Sequence, residues 1–138
     1  MIKTLNWNID IEDFLGKKFC DITGAVEDSE YILFETGDGH RYKMYHKQDC
    51  CEDVRLEDVA GDIKDLLDEE ILMAECVTNS REPARDEYDK SYTWTYYKLA
   101  TRKGYVTLRW YGKSNGCYSE KVQIDYQFDE EYHYYEEN

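Results

Sequence analysis

Alternation of apolar and polar side chains, not helical spacing, dominates the second half of this chain. Over residues 104–112, Val106, Leu108 and Trp110 fall on one side of an extended strand, opposite Tyr105, Thr107, Arg109 and Tyr111, because successive strand side chains point to opposite faces. One side is expected to pack and the other to meet solvent or a partner. The neighbouring stretches YTWTYYKLAT and CYSEKVQIDYQF, set off by the turn sequences RKG and KSNG, complete what reads as a meander.

Earlier in the chain, CDITGAV, EYILFET and HRYKMYH read as strands. The GDG at residues 37–39 marks a hairpin between the last two, because Asp-Gly tolerates positive φ. IEDFLGKKF reads as a short amphipathic helix ending near Gly16 or as an irregular lead into a strand, and ILMAECVTN as a further strand. Residues 56–69, LEDVAGDIKDLLDE, place Val59, Ile63, Leu66 and Leu67 at the spacing of one helical face and acidic residues elsewhere, which predicts a helix. The expected fold is therefore α+β, an antiparallel sheet of about six strands with one main helix packed on it.

The length of 138 residues is that of one domain, so residues 1–138 are expected to form a single unit. Within it, residues 79–91 read as a flexible loop, since SREPARDEYDKS is nearly devoid of apolar residues. Residues 129–138 read as an acidic tail in which Tyr132, Tyr134 and Tyr135 alternate with carboxylates; it is either a frayed terminus or a segment that lies in a basic groove. The stretch LRWYGKSNGCYS places Tyr111, Asn115, Gly116 and Tyr118 at a shaped tip, which is turn chemistry or a contact site.

Charge narrows the functional classes. With 17 Lys and Arg against 31 Asp and Glu, the net charge is −14. That field repels a phosphate backbone and attracts basic protein surfaces. Direct nucleic-acid binding is disfavoured, and mimicry of a nucleic acid toward a basic groove stands beside plain solubility. No stretch approaches the roughly 18 apolar residues of a membrane span, and the first residues lack a continuous apolar run, so a cytoplasmic location is expected. Fourteen tyrosines suit a half-exposed sheet.

The five cysteines, an odd number, argue against a disulfide framework in a reducing compartment. Cys50 and Cys51 cluster in YHKQDCCEDV, at the predicted exit of a strand. His46, Cys50 and Cys51 offer an imidazole and two thiolates, donors that suit tetrahedral zinc. Neighbouring residues share an ion only where the backbone bends between them, which a turn permits. Asp49 is the favoured fourth ligand, with Glu52, Cys20, Cys76, Cys117 and His40 as others. The plain alternative is a histidine beside two small buried residues. A catalytic Cys/His pair or an open zinc site is disfavoured by Asp49, Glu52 and Asp53, which oppose a thiolate or an oxyanion.

Together, YHKQDCCEDV, VAGDIKDLL, TWTYYKLAT and LRWYGKSNGCYSEKV resemble a family of small proteins carried by bacteriophages and prophages. That family has an H-x-Q-D-C-C-E core and a W-x-G-x-S-N-G-x-Y-S tip. Here the core is His46, Gln48, Asp49, Cys50, Cys51 and Glu52, and the tip is Trp110, Gly112, Ser114, Asn115, Gly116, Tyr118 and Ser119. Cys117 stands where the pattern has an aromatic residue, which weakens its candidacy as a ligand. The chain is also similar to zinc-containing anti-CRISPR inhibitors of the type II RNA-guided nuclease. What the resemblance implies is a monomeric, non-enzymatic inhibitor with a structural zinc, which binds the host nuclease and blocks DNA loading. A small metal-dependent enzyme, or a phage accessory domain that binds another basic host protein, are the alternatives.

Overall fold

A computed structural model describes residues 4–79 and 82–129. Among the described residues nine strands run in chain order: β1 (Thr4–Ile9), β2 (Phe19–Thr23), β3 (Tyr31–Thr36), β4 (Arg41–Tyr45), β5 (Asp53–Ala60), β6 (Met73–Asn79), β7 (Ser91–Thr101), β8 (Gly104–Ser114) and β9 (Gln123–Asp129). They form two antiparallel sheets. One has the order β1-β9-β4-β3-β2 and the other β5-β8-β7-β6. The only helical elements among the described residues are two single 3-10 turns, Ile11–Phe14 and Ile63–Leu66.

The expected α+β fold with one main helix on a sheet of about six strands is thus overturned. Residues 56–69 do not form a helix. Their first part belongs to β5, where Val54 and Leu56 are buried in alternation, and the strand ends at Gly61, whose φ of 105° suits glycine. Only Ile63–Leu66 turns helically, begun by the Asp62 side chain accepting from the Lys64 N–H at 3.0 Å. The helix-like spacing of Val59, Ile63, Leu66 and Leu67 spans a strand end, a turn and a 3-10 turn. Residues too few to pay the nucleation cost of an α-helix instead take what the neighbouring β8 ladder offers.

The inward faces of both sheets share one core. Phe34, Tyr42, Met44 and Ile124 from the first sheet meet Leu56, Tyr97, Leu99, Val106, Leu108 and Trp110 from the second. Phe14, delivered by the first 3-10 turn, stands edge-on to Phe19 at 4.9 Å and to Tyr42 at 5.3 Å between ring centroids. The face assignment for β8 holds: Val106, Leu108 and Trp110 are buried. The outward face of the same strand carries Arg109, whose guanidinium lies 5.1 Å from the Trp94 ring, and Tyr111, which packs against Trp94 and Tyr92.

The segment between β6 and β7 crosses that outward face. The Trp94 Nε1–H donates to Pro83 O at 3.1 Å, the Tyr92 hydroxyl donates to Glu82 O at 2.8 Å, and the Arg85 N–H donates to the Tyr111 hydroxyl at 3.1 Å. Aromatic side chains of β7 and β8 therefore hold its backbone. Residues 80–81 and 130–138, which include most of the expected acidic tail, lie outside the described residues.

A second correction concerns the expected meander. β7 and β8 form a hairpin through Arg102 and Lys103, but the chain after KSNG does not fold back onto β8. It leaves that sheet and enters the other as β9, between β1 and β4. The chain passes between sheets at residues 46–52 (β4 to β5) and again at residues 115–122 (β8 to β9). Because Tyr45 at the end of β4 pairs with Gln123 at the start of β9, and Asp53 at the start of β5 pairs with Lys113 near the end of β8, both passages lie at the same end of the domain.

Candidate functional site

The two sequence motifs singled out above are these two passages, and the structure joins them. His46 follows β4 and is buried. Its Nδ1 lies 2.6 Å from the carbonyl oxygen of Lys121 in the other passage, and its Nε2 lies 2.9 Å from Glu52 Oε1. Both ring nitrogens therefore face oxygen atoms, one from each side of the ring. An imidazole held between a carboxylate and a carbonyl, with neither the His46 nor the Glu52 side chain more than 4% exposed, bolts one passage to the other.

Glu52 organises the rest of the loop. Its Oε1 also accepts the Asp49 N–H at 2.5 Å and its Oε2 the Cys50 N–H at 3.1 Å. The Gln48 side-chain amide donates to Glu52 O at 2.6 Å and to Cys50 O at 3.3 Å. The hydrogen bond from His46, aided by the backbone N–H groups, holds the Glu52 carboxyl down at about 2 against the opposing effect of burial.

The proposed ligands are distributed differently from the expected set. His46 is turned inward with both nitrogens engaged. Asp49 is exposed, and its backbone, not its carboxylate, bonds within the loop. The backbone does bend between Cys50 and Cys51, so their sulfurs meet on one side; they are joined to each other as a vicinal disulfide, with Cα atoms 3.7 Å apart. Both cysteines are exposed, which also removes the alternative of two small buried residues. Among the described residues no three His, Cys, Asp or Glu side chains converge as a metal-holding group. The remaining cysteines, Cys20, Cys76 and Cys117, are free and exposed.

The second motif is explained by the same end of the fold. Glu120 accepts hydrogen bonds from three hydroxyls: Ser91 at 2.6 Å, Thr93 at 2.8 Å and Ser114 at 2.5 Å. Asn115 Oδ1 accepts the Cys117 N–H at 2.9 Å, Ser114 Oγ accepts the Gly116 N–H at 3.0 Å, and Gly116 takes a φ of 91°. Gly112 lets the passage approach β8, because a Cβ there would stand 2.9 Å from Glu120 O and 3.1 Å from Val54 Cγ2. Gly112→Ala is accordingly expected to cost about 1–3 kcal/mol by overpacking, read from the urea midpoint. A midpoint within error of the wild type would mean that the passage moves aside freely.

Sequence reasoning missed the central role of Glu52, which it placed among the optional ligands. The available signal was a carboxylate six residues after a histidine at a strand exit, with a Gln between them. A hollow of about 530 Å³, lined in part by Thr93, Tyr97, Glu120, Cys76, Val122 and Ile124, opens beside this end. A larger groove of about 900 Å³, walled by Trp7, Tyr42, Tyr126 and His40, lies against the first sheet. There the Trp7 and Tyr126 rings stack with centroids 6.1 Å apart, and the Tyr126 hydroxyl lies 2.7 Å from His40 Nδ1. No helix among the described residues is long and apolar enough to cross a membrane.

No curated protein and no solved structure matches the chain at a significant level. One family does, described as Domain of unknown function (DUF7448), over residues 12–124. That span takes in both passages and every strand from β2 to β8. By this match, which covers most of its length, the chain belongs to the DUF7448 family.

Proposed function

We propose that this domain is a non-catalytic binding module for a basic protein surface. In the setting implied by the resemblance, it inhibits a type II RNA-guided nuclease by occupying the channel that would receive DNA. The observation that supports this reading is how the charges are spent. Arg55 pairs with Glu30 and Asp53, Arg85 with Glu57, Arg102 with Glu69, Arg109 with Asp58, and Lys113 with Asp89. Five of the 17 basic side chains are thus neutralised on the domain's own surface. Asp10, Glu12, Asp13 and Glu75 are exposed around the first 3-10 turn and on β6, elements that touch.

An uncompensated anionic surface is attracted to a basic groove and competes there with nucleic acid for the same charges. A rigid β framework presents it with little ordering cost on binding. The test is a titration of the purified domain against the guide-loaded nuclease, read by DNA binding and cleavage. The expected result is loss of DNA binding that ends near one domain per nuclease and weakens as salt is raised. Undiminished cleavage at several-fold molar excess would remove the nuclease from the proposal. Turnover of a substrate by substoichiometric domain would remove the binding role itself.

A further inference from the structure

We propose that Cys50 and Cys51 are a reversible redox pair, opened by thiol reductants to a vicinal dithiol that captures a trivalent thiophile of the arsenical class. Three observations carry this independently of the binding role. The two sulfurs are bonded across neighbouring residues. Both side chains are exposed, so a reagent can reach them. The turn that brings them together is built by other groups: the Glu52 carboxylate holds the Asp49 and Cys50 N–H groups, and the Gln48 amide holds the Cys50 and Glu52 carbonyls. Those bonds do not involve sulfur. Opening the pair therefore leaves two thiols on one side of a turn that persists.

The exchange balances with a small dithiol as reductant. Its thiolate attacks one cysteine sulfur, forming a mixed disulfide and releasing the other cysteine as a thiolate that takes up a proton. The reagent's second thiol then attacks the mixed disulfide, leaves as a cyclic disulfide, and frees the second cysteine. The pair gains two electrons and two protons; a disulfide such as oxidised glutathione reverses the process. A monosubstituted arsenic(III) oxide then condenses with both thiols, forming two As–S bonds and releasing one water. Two thiols carried on neighbouring residues of one turn satisfy that chelate by side-chain rotation, with the backbone bonds of the turn kept.

The other three cysteines make the test a count. Native protein, oxidised by air and kept free of reductant, is expected to show three reactive thiols toward a chromogenic disulfide, from Cys20, Cys76 and Cys117. After reduction it shows all five cysteines as thiols, and its intact mass rises by about 2 Da, two hydrogens for two electrons. Phenylarsine oxide is expected to bind one per chain to the reduced form only. Cys50→Ser abolishes that binding, whereas a Cys20→Ser, Cys76→Ser and Cys117→Ser triple variant retains it. Five reactive thiols in the oxidised protein would overturn the proposal, as would arsenical binding that survives Cys50→Ser. The triple variant has no other thiol, so a failure of the count cannot be assigned to those positions.

Discussion

Trp110→Ala is expected to lower the unfolding free energy by about 3–5 kcal/mol, the largest loss from any single truncation in this domain. Trp110 is fully buried in the core between the sheets, and β8 carries it in the middle of its own sheet, paired to β5 and β7. Truncation leaves a cavity that two sheets tied at one end cannot collapse to fill. For a chain of this size the loss corresponds to a fall of about 10–20 °C in Tm. Trp110→Phe separates packing from polarity. The indole Nε1–H finds no acceptor among the described residues, so phenylalanine removes ring volume without breaking a hydrogen bond, and it relieves an unsatisfied donor. It should lose less than half as much as alanine. Equal losses for the two variants would show that the indole N–H is bonded in solution.

The second large effect is expected at the bolt between the passages. His46→Leu keeps a similar volume, but it leaves the Glu52 carboxylate with amide donors only and the Lys121 carbonyl without its imidazole. Stranding a buried charge is more damaging than losing a surface pair, and a fall of about 10 °C in Tm is expected. Glu52→Gln keeps an acceptor and should be milder near neutral pH. The two variants also separate in acid. The Glu52 carboxyl is held at about 2 in the folded state against 4.5 as a reference. Its contribution is therefore complete above pH 4.5, declines as the unfolded chain takes up its proton, and is gone once the pH falls through about 2. Wild-type Tm should accordingly drop more steeply than that of Glu52→Gln between these limits. Parallel curves would mean that Glu52 is not the low-titrating group.

What could be read from the sequence followed how local the determining interactions are. The hairpin at residues 37–39 is settled by residues next to one another, and β3 and β4 pair around it with Gly39 at a φ of 94°. The two faces of β8 follow from alternation alone. β1 and β5 were missed because their pairings are with β9 and β8, which are distant in sequence, and strand preference depends on such partners. The change of sheet after KSNG was missed for a related reason: turn residues report that the chain bends, not which sheet receives it. At the site, the cluster around residue 50 was legible as special. Its hydrogen bonding was not, because two donors and a histidine in sequence do not reveal that the histidine turns inward to a carboxylate and a distant carbonyl.

The borders of the two sheets are not equivalent. Leu56 in β5 exchanges backbone hydrogen bonds with Asp28 and Ser29, and β2 is met at Lys18 and Phe19 by bridges to Glu70 and Leu67. Those two borders are covered by their own chain, which blunts a strand's tendency to recruit another. The remaining borders, β1 and β6, carry the exposed Trp7 and Val77. Edge-to-edge growth at high concentration, the first step toward aggregation, is thereby channelled to that flank, where the carboxylates of Asp10, Glu12 and Glu75 act as gatekeepers by mutual repulsion between copies.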